Sequence, residues 1–119
     1  MARNVASNYV TGGNGMLYMV YGVDKPGAAD LRAEAREEHF AYLDTHKDIL
    51  VLGGATLGDD GATRTGSVLI INVPNRAEAD RFSQNEPFRK AGVFETVTVT
   101  RMRRGQWNPA AAPKTAEGN

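Results

Sequence analysis

Met16-Leu17-Tyr18-Met19-Val20-Tyr21-Gly22-Val23 is the run whose reading decides the fold. It is rich in β-branched and aromatic residues and apolar at both odd and even positions, so as a strand it offers apolar side chains to both faces of a sheet. Helices of the same chain can cover one face, and the other face needs a different cover. Beyond it, Asp24-Lys25-Pro26-Gly27 breaks the strand, and Ala28 to Thr45 is helix-rich, with the clearest pattern from Arg36 onward. A short strand, Ile49-Leu50-Val51-Leu52-Gly53-Gly54, follows. The turn-forming loop Gly58 to Gly66 then leads into a third strand, Ser67 to Val73. Asn75-Arg76-Ala77-Glu78 has the pattern of a capping box and starts a second helix, which should end near Asn85 because Pro87 disfavours helical geometry in Glu86. Phe94 to Met102 alternates strictly, with one apolar and one threonine-rich face, as a fourth strand does.

The order βαββαβ predicts an α+β, ferredoxin-like domain: a four-stranded antiparallel sheet with right-handed crossovers placing both helices on one face. The doubly apolar first strand leaves the other face exposed, and the same face of a second copy covers it most economically. The expected assembly is therefore a homodimer joined through the sheet face, of the dimeric α/β-barrel type. Residues 1–15, ending in Thr11-Gly12-Gly13-Asn14-Gly15, read as a flexible extension, 16–104 as the folded domain, and 105–119 as a tail, interrupted by Pro109 and Pro113, that is disordered or lies across a partner.

Composition narrows the function. With 119 residues the chain makes one domain, and its 14 basic and 14 acidic residues cancel, so it lacks the phosphate-neutralising excess of a nucleic-acid binder. The absence of cysteine excludes disulfides, thiolate metal sites and cysteine nucleophiles. No stretch has the length of a membrane span and the first residues lack a signal-peptide run, so a cytoplasmic location with no membrane partner is expected. Asp59 and Asp60 fit no calcium-loop spacing and read as a hairpin tip. His46 lies two helical turns from His39, too far for a common metal site, so no metal is expected.

Within Arg36-Glu37-Glu38-His39-Phe40-Ala41-Tyr42-Leu43, Phe40 and Leu43 are one turn apart and can both face a core, with His39 at the shoulder of that face. If the first strand runs up, the first helix runs down and the second runs up, which brings the start of the clear helical pattern, the hairpin and the end of the second helix to the same end. His39 and Glu86 then meet. A carboxylate beside an imidazole fixes its tautomer and supports the imidazolium, as a general acid/base requires, and the same pair also serves as a plain boundary salt bridge.

Met16-Leu17-Tyr18, the segment Arg36 to Leu43, Gly66-Ser67, Ala77-Glu78-Ala79, Glu86-Pro87-Phe88 and Ala91-Gly92-Val93 together resemble the YciI-like (YCII-related) family, over about Met16 to Arg104. The resemblance implies a ferredoxin-like domain dimerising through its sheets. It also implies that His39 corresponds to the histidine that the family pairs with an aspartate of an Asp-Pro-aromatic motif in a candidate active site. Glu86 stands at that aspartate position, and its additional methylene moves the carboxylate. Lyase or dehalogenating activity in some members makes the expected function a cofactor-independent acid/base enzyme, lyase- or isomerase-like, acting on a small ring or carbonyl compound. In that reading His39 transfers the proton and Glu86 orients it. Tyr42, three residues after His39, is a candidate hydrogen-bond donor to substrate or a packing residue, and Arg36 a candidate anchor for an anionic substrate or an exposed helix charge. The alternative is a non-catalytic small-molecule-binding or regulatory homodimer.

Overall fold

A computed structural model describes residues 15–119, so the extension expected over residues 1–15 lies, apart from Gly15, outside the described residues. Strand β1 (Met16–Asp24) is followed by helix α1 (Ala29–Thr45), β2 (Leu50–Leu57), β3 (Arg64–Val73), α2 (Arg76–Gln84), the one-turn α3 (Pro87–Lys90) and β4 (Phe94–Met102). The sheet order is β2-β3-β1-β4, with every neighbouring pair antiparallel. This is the ferredoxin-like α+β arrangement, with β1 in the interior of the sheet, flanked by β3 and β4.

Alternation along β1 and β3 sorts the side chains. Tyr18 and Val20 of β1 and Leu69, Ile71 and Val73 of β3 face the helices and form the main core with Ile49, Ala79 and Phe82. The register places Tyr21 opposite Val68 and Met19 opposite Ile70, so apolar residues also cluster on the helix-free face, where Leu52 of β2 is 66% exposed. The doubly apolar reading of β1 thus describes both faces.

The strand ends at the hairpin and the role of Pro87 differ from the sequence reading. Strands β2 and β3 run further into the hairpin, to Leu57 and from Arg64, because Asp60 ties the tip. Its carboxylate accepts from the amides of Ala62 and Thr63 and from the Thr63 hydroxyl. Helix α1 spans Ala29–Thr45, as read from the sequence, so His39 lies well inside the helix. Pro87 does more than stop α2: it opens α3 as the first helical residue, where a missing N–H costs nothing, and Glu86 becomes the N-cap, accepting from the Phe88 amide. As expected, the Asn75 side chain caps α2 by accepting from the Glu78 amide at 2.9 Å.

The inward face of α1 is also rotated from expectation. Arg32, Ala35 and His39 are its buried residues, at spacings of three and four, whereas Phe40 is 57% exposed. Only Leu43 of the expected pair packs on the core. The turn C-terminal to α2 is the cause: Phe88 stacks on the His39 ring, with centroids 3.8 Å apart, and claims the position that apolar periodicity would assign to Phe40. After β4 the chain is exposed through Glu117, with one 3-10 turn at Pro109–Ala111 and a bridge between Thr115 and Gly118. No helix among the described residues is long and apolar enough to cross a membrane.

Candidate active site

His39 and Glu86, 47 positions apart in sequence, meet because α1 packs against the α2–α3 junction. The imidazole Nδ1 lies 2.6 Å from Glu86 Oε2, with the two residues only 7% and 2% exposed. A carboxylate can only accept, so Nδ1 carries the hydrogen and donates. The same Oε2 accepts from the Phe88 amide at 2.9 Å, so the carboxylate that orients His39 is itself oriented by the start of α3. Glutamate serves both purposes: its backbone sits at the N-cap, and its side chain still reaches the helix opposite.

With Nδ1 engaged, Nε2 of the neutral ring bears a lone pair, and it has no hydrogen-bond partner among the described residues. His39 lines an open cleft of about 910 Å³ between α1, the inner faces of β2 and β3, and the hairpin. That volume is in the range of small-molecule sites. Phe88, Leu43, Leu50, Leu69 and the glycines of β2 provide apolar walls, and Arg36 and Arg64 stand at the rim. Gly53 keeps one wall thin, since a Cβ there would come within 2.8 Å of the Leu69 side chain.

Of the residues singled out from sequence, His39, Glu86 and Arg36 are gathered here: the first two as a hydrogen-bonded pair, and Arg36 exposed on the cleft wall. Tyr42 is turned elsewhere. Its hydroxyl donates to the Phe82 carbonyl at 2.8 Å, its ring packs on Phe82 and His46, and it borders a separate depression between α1 and α2. It is a packing residue of the helix layer. His46 uses Nδ1 to donate to the Tyr42 carbonyl at 2.8 Å.

Two polar residues at the cleft were not apparent from sequence. Arg32 is 8% exposed and donates through Nε to Asp24 Oδ2 at 2.6 Å and through Nη2 to the Gly66 carbonyl at 2.8 Å and Ser67 Oγ at 2.9 Å. Ser67 is equally enclosed, at 7% exposure. The available signal was the spacing of Arg32 and His39, seven residues apart and so on one helical face, but an arginine in a helix reads first as a solvated charge. Gly66 makes this cluster possible. A Cβ on it would collide with the Gly22 carbonyl oxygen, so only glycine lets β3 approach β1 closely enough to present its carbonyl to Arg32.

The architecture has counterparts. The chain is similar in structure to 5-chloro-2-hydroxyhydroquinone dehydrochlorinase (TftG) from Burkholderia phenoliruptrix AC1100, solved in complex with 2,5-dihydroxybenzoquinone. The TM-score is 0.70 and the identity 38%, covering 76% of this chain and 96% of that one. Protein YciI of Escherichia coli O6:H1 is 32% identical over 91 residues, which span 71% of this chain and 93% of YciI. An uncharacterised protein of Haemophilus influenzae is 30% identical over the same length. The model of the YCII-related domain matches residues 16–103, and the chain accordingly belongs to the YCII-related family.

Proposed function

We propose that this protein is a cofactor-independent acid/base enzyme, lyase- or isomerase-like, acting on a small ring or carbonyl-bearing molecule in the cleft beside α1. The observation that carries the reading is the buried 2.6 Å bond from His39 Nδ1 to Glu86, which turns the basic Nε2 away from the carboxylate. Nε2 takes a proton from a substrate hydroxyl or from a carbon next to a carbonyl, and the electron pair left behind spreads onto the conjugated oxygen. The imidazolium then returns the proton at another atom, completing an isomerisation, or the enolate expels an anionic leaving group, completing an elimination. Glu86 stabilises the imidazolium between these events. Phe88 stacks on the ring and limits its rotation. The structurally similar dehydrochlorinase, which by its name removes chloride from a chlorinated hydroxyhydroquinone, supports the elimination branch. Arg36, on the cleft wall, attracts an anionic substrate.

The active unit is a homodimer joined through the helix-free sheet face. The apolar cluster of Met19, Tyr21, Val68, Ile70 and Leu52 on that face supports this arrangement.

Turnover of chlorinated and non-halogenated hydroxyhydroquinones, followed by absorbance and chloride release, tests the reaction. Wild type should convert at least one, and His39→Gln should reduce kcat by roughly 10²- to 10⁴-fold. Tight binding with no turnover by wild type would instead make the protein a non-catalytic ligand-binding dimer.

A further inference from the structure

We infer that the segment after β4 is a cap on the cleft, whose tip at Ala116 limits the bulk of the molecules that reach His39 and so makes this segment a determinant of substrate choice. This rests on the reading of the cleft as the reacting site, although access to His39 is measurable without turnover. The shared domain covers residues 16–103, so the segment is an addition to the part of the chain that carries His39 and Glu86. Strand β4 is one edge of the sheet, and β2 is the other. Trp107 lines an open groove of about 770 Å³ with Leu17, Val51, Asn72 and Met102, one from each strand, and so lies across the end of the sheet. Further on, Ala116 borders the cleft, whose wall along the middle of β2 is Gly53, Gly54 and Ala55. The segment therefore leaves one edge and reaches the side of the other, where the strand's own side chains offer at most a methyl group.

The tip has a definite shape and a loose attachment. Thr115 and Gly118 pair across the turn Ala116-Glu117, amide to carbonyl in both directions at 3.0 and 3.1 Å, and the Thr115 hydroxyl also donates to the Gly118 carbonyl. The Lys114 amide adds a bond to the Asn119 side chain at 3.2 Å. Gly118 has a φ of +124°, a conformation that a residue with a Cβ rarely adopts, so the turn depends on glycine there. Among the described residues, the hydrogen bonds made by residues 105–119 all stay within that segment. Its tie to the domain is Trp107, whose ring centroid lies 5.4 Å from the Arg104 guanidinium. A formed turn on a strap with so few ties moves at small cost, because local opening is easiest where buried contacts and hydrogen bonds to other elements are few. Bulky molecules must displace the tip, whereas small ones pass beside it.

Acylation of the imidazoles tests the cap. The chain has two histidines, and His46 stands outside the cleft, in the depression between α1 and α2, so its rate serves as an internal reference. The protein is reacted with diethyl pyrocarbonate or with the bulkier di-tert-butyl dicarbonate, and peptide mass spectrometry follows both sites. Deleting residues 108–119 should raise the His39 rate relative to His46 several-fold, and more for the bulkier reagent. Ala116→Trp, which enlarges the tip, should lower that ratio. Ala110→Trp, in the 3-10 turn and not bordering the cleft, should leave it unchanged. Thermal melting checks that each variant is folded. A ratio unmoved by the deletion, whether both rates stay constant or both rise together, would overturn the inference, and so would equal effects of the two tryptophans. None of these rates requires turnover, so a protein that converts no hydroxyhydroquinone and still shows the expected ratios keeps the cap and loses the acid/base reading.

Discussion

Glu86 holds three things at once: the His39 ring, the first amide of α3, and its own buried place against the helix layer. Removing the carboxylate leaves two enclosed donors without acceptors, so Glu86→Ala should destabilise the protein by about 1–3 kcal/mol for each orphaned group, read from denaturant unfolding. Glu86→Gln keeps an acceptor for Nδ1 and loses only the charge. Its stability should stay close to that of wild type, and under the proposed mechanism its kcat should fall roughly 10²-fold or more. Glu86→Asp remains a good N-cap but shortens the reach to His39. It should therefore keep the melting temperature better than it keeps kcat, and the reverse order would mean that the carboxylate serves the fold alone. The meeting of this pair was legible in the sequence because the βαββαβ order brings the first helix and the end of the second to one end of the domain. The burial of Arg32 was not legible, since nothing local distinguishes it from Arg36 four residues later. Only the approach of Asp24 and Gly66 from other elements makes one arginine internal and leaves the other at the surface.

At the scale of elements, α3 is one turn long and cannot stand alone, so tertiary packing must hold it. Phe88 supplies that packing. It is buried with Ala28, Ala35 and Val93, stacks on His39, and has the Arg32 guanidinium 4.8 Å from its ring centroid. Phe88→Ala should cost about 3–5 kcal/mol and also loosen the cleft wall, whereas Phe40→Ala, on the solvent side of the same helix layer, should cost little. Equal costs would restore the core role that periodicity suggests for Phe40. The hairpin tip is a second local unit. The Thr63 hydroxyl, with the amides of Ala62 and Thr63, lowers the Asp60 carboxyl from 3.8 to about 2. A carboxyl depressed on folding contributes stability above its unfolded value. That contribution is lost as pH falls through the folded value, so the tip should loosen near pH 2 and not near pH 4. A carbon-detected NMR titration should place the Asp60 midpoint near 2, and Thr63→Val should move it upward. A midpoint already near 4 in wild type would mean that these bonds do not persist in solution.

At the scale of the molecule, the helix-free sheet face and the segment after β4 carry the remaining expectations. Sedimentation at micromolar concentration should give a dimer. Met19→Asp, which places a charge in the middle of that face, should shift the equilibrium toward monomer. A wild-type monomer would leave the apolar residues of that face without a role. Residues 108–117 are exposed, and only Ala116 borders the cleft. Deleting residues 108–119 should leave the melting temperature within a few degrees of wild type. A large loss would show that this segment docks.

Periodicity in the chain, with its breakers and caps, determined the fold class. The doubly apolar Met16 to Val23, the cap at Asn75 and the strict alternation of Phe94 to Met102 are local patterns, each legible within its own short stretch of chain. The rotation of α1 was decided by tertiary structure alone. Phe88, arriving from α3, displaces Phe40 from the inward face and seats His39 there, and no one-helix pattern contains that competition. The composition of the cleft was decided in the same way. Asp24, Arg32, Ser67, His39 and Glu86 come from β1, α1, β3 and the α2–α3 junction, and their hydrogen bonds exist only once the sheet register and helix packing bring those elements together. Sequence patterning reports which side chains leave water, and the partners they find there depend on contacts between positions far apart in the chain.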